Sequence, residues 1–241
     1  MHFFLHVAGL ASKCSDWERL ASISAALVHD MGHFTLNNGF LAATNHPLAL
    51  TYNYKSSLEN MHVSKALKIL AKAGCNFMDG LPASENTNVR KLMIELVLAT
   101  DMATHGPNLK DLEHALELSD VDVDALDTAL VLKNALHAAD ISNPTKPWAY
   151  YQMWTDRVLL EFFGQGDQEL ALGLPVSMGF DREKAKTELD RARGQLGFIG
   201  YVVKPLYDAF AKVPEVDIVE SASWHLADNS RRWKRIVEER S

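Results

Sequence analysis

The chain of 241 residues is 47% hydrophobic and 23% charged, the balance of a soluble globular protein long enough to bury one large core or two small ones. Its net charge of −7, with a single basic block at Arg231-Arg232-Trp233-Lys234-Arg235, excludes nucleic acid as the main partner, because phosphate contacts need a positive surface. Cys14 and Cys75 define no disulfide framework and fit a reducing, cytoplasmic setting, and no run approaches the roughly 18 apolar residues of a membrane span.

Alternating β-branched runs around tight turns are missing, whereas stripes of period 3.6 recur throughout, so the chain reads as all-α and as one compact domain. Predicted helices fall near 1–12, 16–33, 36–44, 56–73, 87–104, 108–118, 123–140, 147–172, 181–213 and 215–237. The apolar start from Met1 to Ala11 has no basic lead and reads as a core helix, not a signal peptide.

In the helix at 16–33, Leu20, Ile23, Leu27 and Met31 form one packing stripe, and Ser22, Ala25, Ala26, His29 and His33 share the other face. Asp30 is the only charged side chain between Leu20 and Asn45. A helix of this composition is expected to be buried nearly all round, and a buried carboxylate needs a partner. With His29 and His33 at i, i+4, that partner is either a metal or a histidine hydrogen bond.

Farther on, Ser56 and Glu59 have the spacing of a capping box, with His62 on the same face as Glu59. The stretch 76–88 reads as a polar loop turning at Asp79-Gly80. Thr100-Asp101 ends an apolar helix, where an Asp reads as a terminus or as a functional group. Asp140 is the sole charge between Lys133 and Lys146, and His137 three residues before it reads as a core histidine or a ligand. Pro147 suits a first helical turn. The next helix aligns Trp148, Tyr151, Thr155, Val158 and Phe162, and a later one aligns Gln195, Phe198 and Val202. A buried glutamine amide there must find partners. The terminal basic block reads as a solvated helix face.

Taken in order, the motifs His29-Asp30-x-x-His33-x4-Asn38, Leu58-Glu59-Asn60-x-His62, Leu98-Ala99-Thr100-Asp101-Met102, His137-Ala138-Ala139-Asp140-Ile141-Ser142-Asn143-Pro144, Glu161-Phe162-Phe163-x-Gln165-Gly166-Asp167 and Gln195-x-Gly197-Phe198-Ile199 closely resemble the class I cyclic-nucleotide phosphodiesterase catalytic domain. The match runs from about His2 to about Leu206. The resemblance implies a compact all-helical fold of the phosphodiesterase or HD type, with a deep pocket for two divalent metals, typically zinc and magnesium (or manganese). It implies hydrolysis of a 3′,5′-cyclic nucleotide to the 5′-monophosphate in second-messenger signalling.

By position, the resemblance makes His29, Asp30 and Asp140 metal ligands, with Asp30 bridging both ions. His33, Glu59, His62, Thr100 and Asp101 hold metal-bound waters or line the metal pocket. Asn143 and Gln195 contact the purine, Phe198 and Val158 sandwich it, and Tyr151, Thr155 and Phe162 surround it. Asn143 is expected to favour adenine and to help orient Gln195. The segment 143–147 is similar to the cAMP-specific branch, while 137–142 and 172–175 are similar to the calmodulin-dependent, dual-specificity branch.

Two departures stand out. The Tyr-His-Asn-x-x-His-Ala motif that supplies the family's general acid and a fourth zinc ligand lies upstream of residue 1, so the sequence reads as a catalytic domain lacking its N-terminal helices. Gly32 replaces a usual acidic residue, and His33-Phe34-Thr35 replaces a His-Pro-Gly or His-Thr-Gly. Competing readings are a generic HD-type phosphohydrolase, which does not need Gln195 or Phe198, and a degenerate domain that binds nucleotide without hydrolysis. Regulatory domains and partners are not specified by the sequence.

Overall fold

A computed structural model describes residues 1–119 and 126–240, apart from the Ser119 and Val219 side chains. Its helices are α1 (Asp16–Val28), α2 (Asn38–Ala43), α3 (Pro47–Thr51), α4 (Ser57–Leu70), α5 (Ala83–Leu98), α6 (His105–Ser119), α7 (Thr128–Asp140), α8 (Trp148–Ala171), α9 (Glu188–Phe198), α10 (Lys204–Phe210) and α11 (Trp224–Arg240). Among the described residues there is no strand, as the periodicity predicts. Residues 123–125, placed at the start of a predicted helix, lie outside the described residues.

The chain groups into two units, Met1–Asp140 with Lys212–Asp217, and Ile141–Ala211 with Ile218–Ser241. In the first, α1 packs against α5 and α5 against α4 and α7. The α1 face that does this is Ala21, Ser22, Ser24 and Ala25, all buried, whereas Ile23 is 43% and Leu27 80% exposed. The predicted stripe therefore faces the wrong way. Small residues let two helix backbones approach closely, so the contact with α5 falls on the alanine and serine side of α1 and not on leucine.

Several predicted boundaries also move for local reasons. The first helix breaks at Gly9, whose φ of 91° only glycine adopts easily; a Cβ there would press on the Glu215 carbonyl at 2.9 Å. The start of α5 directly follows Pro82, which shortens the predicted loop. Prediction missed α3, which Pro47 starts at its first turn. A small cluster of Phe40, Leu41, Ala49, Leu58 and Met61 seats α2 and α3 against α4.

In the second unit α9 packs on α11, and Tyr151, Phe163, Ile199, Tyr207, Phe210 and Trp233 are buried. The predicted helix 181–213 is interrupted, with a π turn at Ile199–Val203 before Pro205 opens α10. Asn229, fully buried, donates from Nδ2 to the carbonyls of Pro144 and Lys146 at 2.8 Å each. It thereby ties α11 to the turn Asn143–Thr145. No helix is long and apolar enough to cross a membrane among the described residues.

Candidate functional site

The α1 helix stops at Val28, and the chain turns through Met31 N–H to Val28 O and His33 N–H to Asp30 O, both 3.0 Å. Gly32 takes a φ of 76° in this turn, and a Cβ there would collide with the Lys65 ammonium, which donates to the Gly32 carbonyl at 3.3 Å. The predicted i, i+4 pairing of His29 and His33 on a helix is therefore not formed. His33 is exposed, and its Nδ1 accepts from Thr35 N–H at 3.1 Å. The expected burial of Asp30 is also corrected: its side chain is 61% exposed, because α1 ends at Val28 and Asp30 sits in the turn that follows it.

The turn nonetheless gathers ligand atoms. His29 Nε2 lies 3.2 Å from Asp140 Oδ1 and 3.4 Å from Asp30 Oδ2, and the ligand atoms of His29, Asp30 and Asp140 all fall within 4.8 Å of one another. The other ring nitrogen, Nδ1, donates to the Ala26 carbonyl at 2.9 Å, which fixes the ring and leaves Nε2 as the ligand atom. Without a cation, the hydrogen bond to Asp140 holds the imidazole up at about 9, against the effect of burial. One imidazole and two carboxylates, clustered and partly open to solvent, suit a divalent ion.

His62 sits beside this cluster, 1% exposed, with Nδ1 donating to the Met31 carbonyl at 2.9 Å and Nε2 3.8 Å from Asp30 Oδ1. Burial lowers its pKa, so it is neutral near pH 7. Glu59 does not cap α4. Ser56 takes a left-handed φ of 42° and offers no side-chain cap, and Glu59 Oε2 accepts from Asn38 Nδ2 at 2.8 Å while Asn38 Oδ1 accepts from Leu58 N–H at 3.0 Å. Burial pushes the Glu59 carboxyl up to about 7, against the Asn38 hydrogen bond.

Asp101 is buried and caps the short turn Met102–Thr104 by accepting from Ala103 N–H at 2.9 Å; Thr100 Oγ1 donates to the Val97 carbonyl at 2.8 Å. His137 is buried, as a core histidine would be, with its Nε2 2.9 Å from Nδ1 of His105. No sequence pattern marks His105.

In the second unit, Tyr151 OH accepts from Trp233 Nε1 at 3.0 Å and donates to Gln195 Oε1 at 2.7 Å. Tyr151, and not Asn143, holds the Gln195 amide. Sequence reasoning missed Trp233 because it sits in the basic block, where only this residue is buried. Asn143 Nδ2 faces Thr155 Oγ1 at 3.3 Å and the Tyr151 carbonyl at 3.5 Å, and its buried Oδ1 has no hydrogen-bond partner. A carbonyl can only accept, so the Tyr151 contact fixes the amide orientation, with Nδ2 toward Tyr151 and Thr155 and Oδ1 left without a protein partner. Thr155 is buried, Phe162 and Phe198 are half-buried, and Val158 is exposed.

A family model described as 3′5′-cyclic nucleotide phosphodiesterase matches residues 1–221. The chain is 37% identical over 239 residues to rat 3′,5′-cyclic-AMP phosphodiesterase 4C, covering 96% of this chain and 44% of the relative. It is 38% identical over 251 aligned positions to the probable 3′,5′-cyclic-AMP phosphodiesterase pde-4 of Caenorhabditis elegans, covering 99% of this chain and 36% of that protein. The solved phosphodiesterase domain of the RhoPDE fusion protein from the choanoflagellate Salpingoeca rosetta superposes with a TM-score of 0.85 at 33% identity, over 94% of this chain and 71% of that one. The chain spans less than half the length of these curated relatives.

Proposed function

The chain belongs to the 3′5′-cyclic nucleotide phosphodiesterase family, and from that premise we propose that it hydrolyses a 3′,5′-cyclic nucleotide to the 5′-monophosphate, with cAMP preferred over cGMP. His29, Asp30 and Asp140 would hold the metals, zinc and magnesium (or manganese). Bound there, two divalent ions would neutralise phosphoryl oxygens and lower the pKa of the attacking water. Glu59, His62 and Asp101 line this pocket, with Thr100 and His33 beside them, and accept hydrogen bonds from the waters. The leaving O3′ needs a proton in the same reaction.

The observation that carries the nucleotide preference is the Asn143 amide, whose Nδ2 is engaged by Tyr151 and Thr155 and whose Oδ1 has no protein partner. An acceptor there pairs with the exocyclic amine of adenine and opposes the O6 of guanine, and a buried site that leaves a polar group unpaired rejects the wrong base. Gln195, held by Tyr151, presents Nε2 to the acceptor at adenine N1. The name shared by the rat and nematode relatives supports the same choice. An intracellular site of action fits the exposed free thiol of Cys75.

Competition kinetics test the preference. We expect a higher kcat/KM for cAMP than for cGMP, and a ratio moved toward one by Asn143→Ala. Equal values, or a cGMP preference, in the unsubstituted protein would remove Asn143 from the account.

A further inference from the structure

The loop between α8 and α9 lies along the last turns of α8. One turn after Phe162, Gly166 has no room for a Cβ, which would collide with the Phe180 carbonyl oxygen. Glu169, only 3% exposed, accepts from Ser177 N–H and Ser177 Oγ at 2.7 Å each and from Gln165 Nε2 at 2.8 Å. Arg182 pairs with Asp167 at 2.7 Å and lies 5.2 Å over the Phe163 ring. Between these attachments the Phe180 ring stacks on Phe162 with centroids 4.2 Å apart and planes 9° from parallel.

A buried carboxylate with three donors is a strong anchor for one short loop, because hydrogen bonds to a charged group outweigh neutral ones. Its effect is to bring a second aromatic ring flat against the side chain that ends the stripe Tyr151, Thr155, Val158, Phe162. The same loop leads directly into α9, which carries Gln195 and Phe198.

We propose that Phe180 is a positioning residue for nucleotide recognition, which sets the ring plane of Phe162 from a loop anchored to α8 through Glu169, Ser177 and the bare backbone of Gly166. The role rests on the reading above that Phe162 lines the nucleotide pocket. It concerns base recognition and leaves the phosphate and metal contacts unchanged.

The test is inhibition of the metal-loaded protein by two product-like probes, adenosine 5′-monophosphate and base-free ribose 5-phosphate. Phe180→Ala is expected to weaken adenosine 5′-monophosphate by about three- to tenfold, the scale of one lost aromatic pair, while ribose 5-phosphate and bound metal stay unchanged. Phe180→Tyr, which keeps the stack, should restore binding, and Phe180→Leu, which keeps the apolar volume and loses the plane, should not. A folded Phe180→Leu protein that binds adenosine 5′-monophosphate like the parent overturns the role, as does an equal loss for both probes. Failure of the unsubstituted protein to bind either probe overturns the proposed function and this role with it.

Discussion

His29 has one ring nitrogen committed to the Ala26 carbonyl and the other to Asp140, and this decides how the site responds to pH. In the metal-free protein the folded pKa, about 9, lies above the ordinary value of 6.5. The contribution of this group to stability is therefore full below pH 6.5 and lost as pH rises through about 9. A metal at Nε2 must displace that proton, so zinc affinity measured by calorimetry should rise about tenfold per pH unit and level off near pH 9. A flat profile between pH 6 and 8 would place the metal elsewhere. Asp30→Ala and Asp140→Ala should each remove bound metal, read by elemental analysis. Asp30 and Asp140 stand out in the sequence as lone charges in apolar runs. Their solvent exposure was not legible there, since nothing local says that α1 stops at Val28 and leaves Asp30 in a turn.

Helix α1 shows what periodicity can and cannot give. The existence of a helix follows from the pattern, but its buried face does not, because the partner α5 takes small residues and leaves Leu27 outside. Ala21→Leu or Ala25→Leu should overfill that contact and cost roughly 1–3 kcal/mol, seen as a lower denaturation midpoint. Leu27→Ala should change it by less than about 0.5 kcal/mol; the reverse ranking would restore the sequence-predicted face. The pair His105–His137 joins α6 to α7 in the same unit. Burial and the neighbouring His105 hold His137 down at about 4, below its ordinary 6.5. Its share of stability is thus present above pH 6.5 and lost as pH falls toward 4. Urea unfolding between those values should show this loss, and His137→Gln should flatten it. An unchanged slope would separate His137 from the acid response.

For the whole molecule, the order of short motifs carried more than any one of them. Each His-Asp or Thr-Asp pair alone is compatible with a core or loop residue, yet their succession identified the family that the comparisons support. What stayed hidden was the supporting layer: Trp233 behind Tyr151, Asn229 behind the Asn143 turn, Asn38 beneath Glu59 and Phe180 on Phe162. These pairings join residues far apart in the chain through hydrogen bonds and ring stacking, which leave no periodic trace. An acidic chain of net charge −7 would need positive charge from bound ions to act on an anionic phosphodiester as proposed. The direct measurement is release of 5′-AMP from cAMP by chelator-stripped full-length protein titrated with zinc and magnesium. The account predicts no release before the ions are added, recovery after, and none at any ion concentration for Asp140→Ala; release without metal, or undiminished release by Asp140→Ala, would contradict it.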